Sequence, residues 1–146
     1  MTGSAQDNPV SAGVVILRAI EGRWHYLLLR AFQYWDFPKG LVEEGEETFD
    51  AAVREVEEET TLVDLDFCWG HDFYKTPPYG KFRKVACYYI AQSAGGSVFL
   101  PVTEELGRPE HEEFRWVELD EAHSLVSPRV RLVLDWAEGV RARSGG

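Results

Sequence analysis

Glu55, Glu58 and Glu59 are the residues of this 146-residue chain whose spacing is best suited to chemistry. They stand at i, i+3 and i+4 in the run Arg54-Glu55-Val56-Glu57-Glu58-Glu59. On a helix, at about 100° per residue, the three carboxylates share one flank and Glu57 falls on the other. Like charges at that spacing repel, costing roughly 0.2–0.5 kcal/mol per pair. They also crowd the C-terminal half of the segment, where the macrodipole disfavours negative charge. A helix shaped only for stability has no reason to be written this way. A hard divalent cation bound through oxygen ligands, magnesium or manganese, would offset the repulsion. A solvated acidic face is the plain alternative for the run taken by itself.

The element that must carry these residues is legible around them. Phe49, Ala52, Val53 and Val56 recur at helical spacing, which predicts an amphipathic helix over Thr48–Thr60. The longer frame is Gly40, five residues, Glu46, seven residues, then Arg54-Glu55-Val56-Glu57-Glu58-Glu59-Thr60-Thr61-Leu62. It resembles the Nudix box, the signature of the Nudix hydrolase superfamily, at every defining position except the last glycine, which is Thr61 here. Glycine just past a helix end supplies a left-handed cap, whereas threonine is β-branched and poor at positive φ. The resemblance therefore leaves the helix exit open. It implies an α/β fold, the Nudix α/β/α sandwich with a mixed central sheet, and a metal-dependent pyrophosphohydrolase.

Two further stretches are similar to parts of that superfamily. Trp35-Asp36-Phe37-Pro38-Lys39-Gly40 resembles the lead-in of the asymmetrical diadenosine tetraphosphate hydrolases and of the messenger-RNA decapping branch. Glu110-His111-Glu112-Glu113-Phe114-Arg115-Trp116 is similar to a segment of the tetraphosphate hydrolases whose glutamate approaches the metal site. By itself, Glu110 is one acid in a polar loop. His111 reads as a surface or supporting residue, because imidazole suits magnesium poorly. What the resemblance implies for the metal is a ligand set of Glu55, Glu58 and Glu59 with Gly40 and Glu110. Glu58 is the first candidate for the base and Glu110 the second. Arg54 is then the orienting partner of the box glutamates, through Glu46.

The basic residues add a second clue. The only lysines are Lys39, Lys75, Lys81 and Lys84, and three of them lie with Arg83 in ten residues that contain no acid. In a chain of net charge −10 this reads as a phosphate-binding patch of Lys39, Lys81, Arg83 and Lys84. An edge strand blunted by lysines is the alternative. Tyr79, at the tip of the turn Thr76–Gly80, is a candidate to stack on a nucleobase, against the reading of an ordinary exposed tyrosine.

The rest of the chain supplies a scaffold of ordinary composition, 45% hydrophobic and 27% charged, for which one domain over 1–146 is expected. Strands are predicted at Ala12–Arg18, Trp24–Arg30, Leu65–Tyr74, Lys81–Ala91 and Phe114–Leu119, with a brief extended piece at Tyr34–Pro38. Turns are predicted at Glu21-Gly22 and Ser93–Gly96, a short helix near Asp120–Leu125 and a last helix at Pro128–Ala142, with Pro128 in its first turn. Met1–Ser11 is polar and expected to be loose. With no apolar run near 18 residues and no signal-peptide core, a cytoplasmic protein is expected, and Cys68 and Cys87 read as reduced core thiols. The acidic balance argues against general nucleic-acid or membrane binding. The partner expected is a small nucleotide, acted on by a monomer or small homo-oligomer.

The reaction implied is cleavage of a phosphoanhydride in dinucleoside polyphosphates, diadenosine tetraphosphate giving ATP and AMP. RNA 5′-pyrophosphate removal, diphosphoinositol polyphosphate hydrolysis and a non-catalytic binding role are the alternatives. The first lacks an extended basic groove, and the last sits poorly with a complete set of box glutamates.

Overall fold

A computed structural model describes residues 8–143. Its elements are β1 (Val10–Ile20), β2 (Arg23–Ala31), β3 (Tyr34–Asp36), β4 (Lys39–Leu41), α1 (Thr48–Thr60), β5 (Leu65–Asp66), β6 (Tyr74–Lys75), β7 (Val85–Ser93), β8 (Glu113–Val117), α2 (Leu119–Leu125) and α3 (Pro128–Arg143). The expectation of a loose N-terminus falls mostly on residues 1–7, outside the described residues. By Val10 the chain is already paired in β1.

The main sheet runs β3-β2-β1-β7-β5, with β4 on β1, β6 on β7 and β8 on β2. β1 and β7 are parallel and the other pairs antiparallel, so the sheet is mixed. β1 is apolar almost throughout because both of its faces are covered. Ala12, Val14 and Ile16 point toward α1, meeting Ala51, Ala52 and Val56. Val15 and Leu17 point the other way, into the layer of Val130, Val133, Leu134, Ala137 and Val140 from α3. Each of the buried valines, leucines and isoleucines among them contributes about 1.5–3 kcal/mol. Helices therefore cover both faces, which is the sandwich expected. Glu21 and Gly22 both take positive φ, 53° and 80°, as a tight hairpin turn between twisted strands requires.

Two strand expectations need correcting. Of Leu65–Tyr74 only the ends pair, as β5 and β6. Between them the Gly70 N–H donates to the Phe67 carbonyl at 3.0 Å, closing a turn. That turn packs Phe67 and His71 on Phe49 of α1, and Trp69 on Trp24, so aromatic packing replaces strand pairing. The next strand starts at Val85, not Lys81. Gly80 and Arg83 both take positive φ in a turn that Tyr79 and Lys84 close with a pair of backbone hydrogen bonds of 2.8 and 2.9 Å. Lys81 and Arg83 thus lie on a turn rather than an edge strand. Cys87 is buried as expected, whereas Cys68 is exposed on the Phe67–Gly70 turn.

The helix exit is settled too. Thr61 takes the left-handed conformation (φ 66°) and its N–H caps the Glu57 carbonyl at 2.9 Å. The chain leaves α1 as a glycine would, with a β-branched residue carrying the strain. Thr61→Gly is expected to raise stability by about 1 kcal/mol, read from denaturant midpoints. A fall would mean that the Thr61 hydroxyl, which donates to the Thr60 carbonyl at 2.5 Å, is worth more than the strain.

Candidate active site

The site grows from the contact of α1 with β4. Burial of Ala51, Ala52 and Val56 against the sheet turns Glu55 and Glu59, one helical turn apart, toward β4. The Lys39 N–H donates to Glu59 Oε1 at 3.2 Å. Gly40 lies directly against Glu55: a Cβ there would come within 2.1 Å of the Glu55 carboxyl. Gly13, across the ladder from Lys39, is equally pinned, since a Cβ would meet the Pro38 carbonyl at 2.3 Å. Two glycines thereby let strand and helix approach closely enough to bring main chain and carboxylates together.

Arg54 braces the helix from outside. Its Nε and Nη2 donate to the two oxygens of Glu46 at 2.8 and 3.0 Å, and Nη2 also reaches the Leu41 carbonyl at 3.0 Å. The pairing with Glu46 is the one the sequence suggested. Arg54 also reaches the acidic cluster itself: Nη1 donates to Glu55 at 2.9 Å and to Glu58 at 3.1 Å. A long guanidinium stem spans the neighbouring turn, so one arginine links the glutamate loop to two helix carboxylates.

Lys39, Gly40, Glu55, Glu59, Lys84 and Glu110 line one cavity of about 350 Å³. A smaller recess of about 80 Å³ shares Glu55, Glu59 and Glu110 and adds Glu58 and His111. Of Glu55, Glu58 and Glu59, Glu58 is the most open, 58% exposed. Burial, then the charges of Glu110 and Glu55, hold the Glu59 carboxyl well above the usual carboxylate range. Glu55 is raised as well, by burial foremost, although Arg54 pulls the other way. Burial also lowers His111, beside Glu110, so its imidazole favours the neutral form. Lys84 is lowered by burial and by the charges of Lys39 and Arg129.

Lys81, Arg83 and Tyr79 do not line this cavity. Lys81 and Arg83 are exposed on their turn. Tyr79 is not an exposed turn tip: its ring packs against the core and carries the Arg129 guanidinium 3.9 Å from its centroid, so that face is already covered. Asp36 and Arg129 were not singled out from the sequence. Asp36 occupies a variable slot of the lead-in, and Arg129 gives no signal beyond following Pro128 at a helix start. A larger recess of about 440 Å³ lies along Trp116–Glu121, but Glu118, Asp120 and Glu121 line it without a lysine or arginine, and it would repel an anion.

Among the described residues no three acidic, histidine or cysteine side chains already close around one point. Arg54 contributes to this by drawing Glu55 and Glu58 to itself. The donor set nevertheless fits a hard cation. It consists of carboxylate oxygens that repel one another, two of them raised by burial, above a glycine that leaves their space free. Opposite stand two lysines suited to an anion. Such a cavity can take a phosphate chain and a divalent cation together.

Comparisons with known proteins agree on a family. A family model described as NUDIX domain matches residues 7–137. The asymmetrical bis(5′-nucleosyl)-tetraphosphatase of Caenorhabditis elegans is 33% identical over 118 residues, 77% of this chain and 80% of that protein. The Rattus norvegicus enzyme of the same name is 31% identical over 105 residues, 68% of each chain. Among solved structures, a binary complex of a C. elegans Ap4A hydrolase superposes with a TM-score of 0.76 at 26% identity, covering 92% of this chain and 98% of that one.

Proposed function

This chain belongs to the NUDIX domain family and is a Nudix hydrolase, and from that premise we propose that it cleaves dinucleoside polyphosphates asymmetrically, diadenosine tetraphosphate to ATP and AMP. The observation that carries the reading is the single cavity in which Glu55, Glu59 and Glu110 face Lys39 and Lys84. The similarity to two asymmetrical tetraphosphatases over most of the chain supports the substrate class.

Magnesium or manganese, held by Glu55, Glu58 and Glu59 with Gly40 and Glu110, would neutralise phosphate charge and acidify water. The chain's own residues do the rest. Glu58, exposed and not buried among other acids, accepts the proton of the attacking water, with Glu110 the second candidate. Arg54 acts as a positioning residue, holding Glu55 and Glu58 while Glu46 holds it. Lys39 and Lys84 bind the non-bridging oxygens and hold the chain in line for attack. The test is chromatography of products from diadenosine tetraphosphate with magnesium and with EDTA. Equal ATP and AMP with magnesium alone is expected. Two ADP, no turnover, or a preference for 5′-triphosphorylated RNA would overturn the reading.

The cavity also ranks the basic residues. Lys84→Met should raise KM by about tenfold, the scale of a lost charge-assisted hydrogen bond. Lys81→Met and Arg83→Met, on the exposed turn, should change KM about twofold or less, and only at low salt where screening is weak. Equal effects from all three would mean that the whole turn folds over the substrate.

A further inference from the structure

Arg129 sits in the first turn of α3 and meets the lead-in segment at Asp36. Its Nη2 lies 3.7 Å from Asp36 Oδ2, and Lys39 Nζ lies 3.8 Å from the same oxygen. Both are ion-pair separations too long for hydrogen bonds. Asp36 is already engaged elsewhere: it accepts from the Phe37 N–H at 2.7 Å and from the Tyr88 hydroxyl at 3.0 Å. One part-buried carboxylate therefore faces Lys39 and Arg129 together, with Lys84 close enough for its charge state to feel both. That is an excess of positive charge in a chain of net charge −10.

A structural role explains this poorly. A part-buried guanidinium used to tie elements together is normally repaid by bidentate bonds to a carboxylate. Arg129 has one loose ion pair to Asp36 and a polar interaction with the Tyr88 hydroxyl, and its Nη1 is buried without a hydrogen-bond partner among the described residues. Its guanidinium also lies over the Tyr79 ring, 3.9 Å from the centroid. The result is a cation fixed in direction, with hydrogen-bonding capacity unspent. It lines a cavity of about 240 Å³ together with Gln33, Tyr34, Trp35, Asp36 and Ser127. Asp36, which lines this cavity, pairs with Lys39, which lines the one that holds the carboxylates.

We propose that Arg129 is a further substrate-binding residue that determines specificity, taking a phosphate beyond those held at Lys39 and Lys84, with Asp36 and Tyr79 as its positioning residues. The chemistry it recognises is a polyphosphate chain long enough to pass Lys39 and reach the second cavity. The inference rests on the phosphoanhydride substrate proposed above, and it adds a preference for chain length. Arg129 lines a different cavity from Glu55, Glu58 and Glu59, so its loss should appear in binding and leave the chemical step alone.

The test has a binding arm and a kinetic arm. In the first, inorganic tripolyphosphate is titrated by calorimetry into metal-free protein at low salt. Arg129→Gln and Arg129→Met should each weaken binding about tenfold, the scale of one charge-assisted contact, and Arg129→Lys should recover most of it. Methionine keeps apolar cover over Tyr79, so the comparison stands even where the glutamine variant fails to fold. Arg23→Gln, a change at an exposed arginine on the far hairpin, serves as the control. In the second arm, Arg129→Met should raise KM for diadenosine tetraphosphate several-fold more than for the triphosphate, with kcat within about twofold. No tripolyphosphate binding by the parent, parent-like binding by the methionine variant, or a KM change equal for both chain lengths would overturn the inference. A protein that binds tripolyphosphate through Arg129 but cleaves no dinucleoside polyphosphate would keep this site and lose the proposed substrate.

Discussion

Glu59→Gln should make the metal-free protein more stable and the enzyme nearly inactive. Glu59 is 7% exposed and sits beside Glu55 and Glu110. Burial and those two charges raise its folded pKa above the ordinary glutamate value of about 4.3. A raised carboxyl binds its proton more tightly in the folded state. The stability it contributes is therefore complete below about pH 4.3 and is lost progressively as pH rises from there through the folded value of about 10. Glutamine mimics the protonated form, and its oxygen can still accept the Lys39 N–H. Each pKa unit of displacement is worth about 1.4 kcal/mol, so the variant should gain at least about that much at pH 7.5 and nothing at pH 4. Glu46 and Asp64, held below the carboxylate range by Arg54 and by hydrogen bonds from residues 93–96, act in the opposite direction in both proteins. The readout is accordingly the difference between parent and variant across pH. Magnesium should raise the melting temperature of the parent more than that of the variant, because a ligand stabilises the state that binds it. Turnover should fall at least ~10²-fold. A variant that is less stable at pH 7.5 and still active would make Glu59 a structural acid and remove the centre of the proposed site.

The contrast between what the chain announces and what it hides follows the range of the forces involved. α1 is legible to its end residues because its apolar spacing and its acidic flank are both local. The Glu21-Gly22 turn and the last helix are legible for the same reason. The region after the helix is not, because aromatic packing of Phe67 and His71 on Phe49 overrides strand propensity, and those partners are far apart in sequence. The basic turn shows the limit at the site. Four cations in ten residues suggest one patch, but positive φ at Gly80 and Arg83 bends the chain so that Lys84 faces inward and Lys81 outward. Asp36 and Arg129 meet across the fold through no motif of their own, so only the packing of α3 against β3 brings them together.

Gly40→Ala should separate the demands of the site from those of the fold. Gly40 does not take a positive φ, so the backbone there tolerates a side chain. It lies in a three-residue strand paired with β1, and alanine keeps that pairing. The obstacle is Glu55, whose carboxyl group occupies the space a Cβ needs, at 2.1 Å. That group is the end of a flexible side chain which Arg54 already holds from the other side at 2.9 Å. It can swing toward Arg54 for less than about 1 kcal/mol, the cost of a displaced rotamer. The melting temperature should therefore change little. Activity should not survive the same displacement, since a misplaced ligand or base loses about 10²-fold even when it is still present. Gly40→Ala is then expected to resemble Glu55→Gln in turnover, and the double variant should be no worse than either one, because both remove the same group from the same place. Additive losses would show that alanine disturbs something besides Glu55. Activity within about threefold of the parent would mean that the position of Glu55 does not matter to the reaction, and the metal reading of the helix would fall with it.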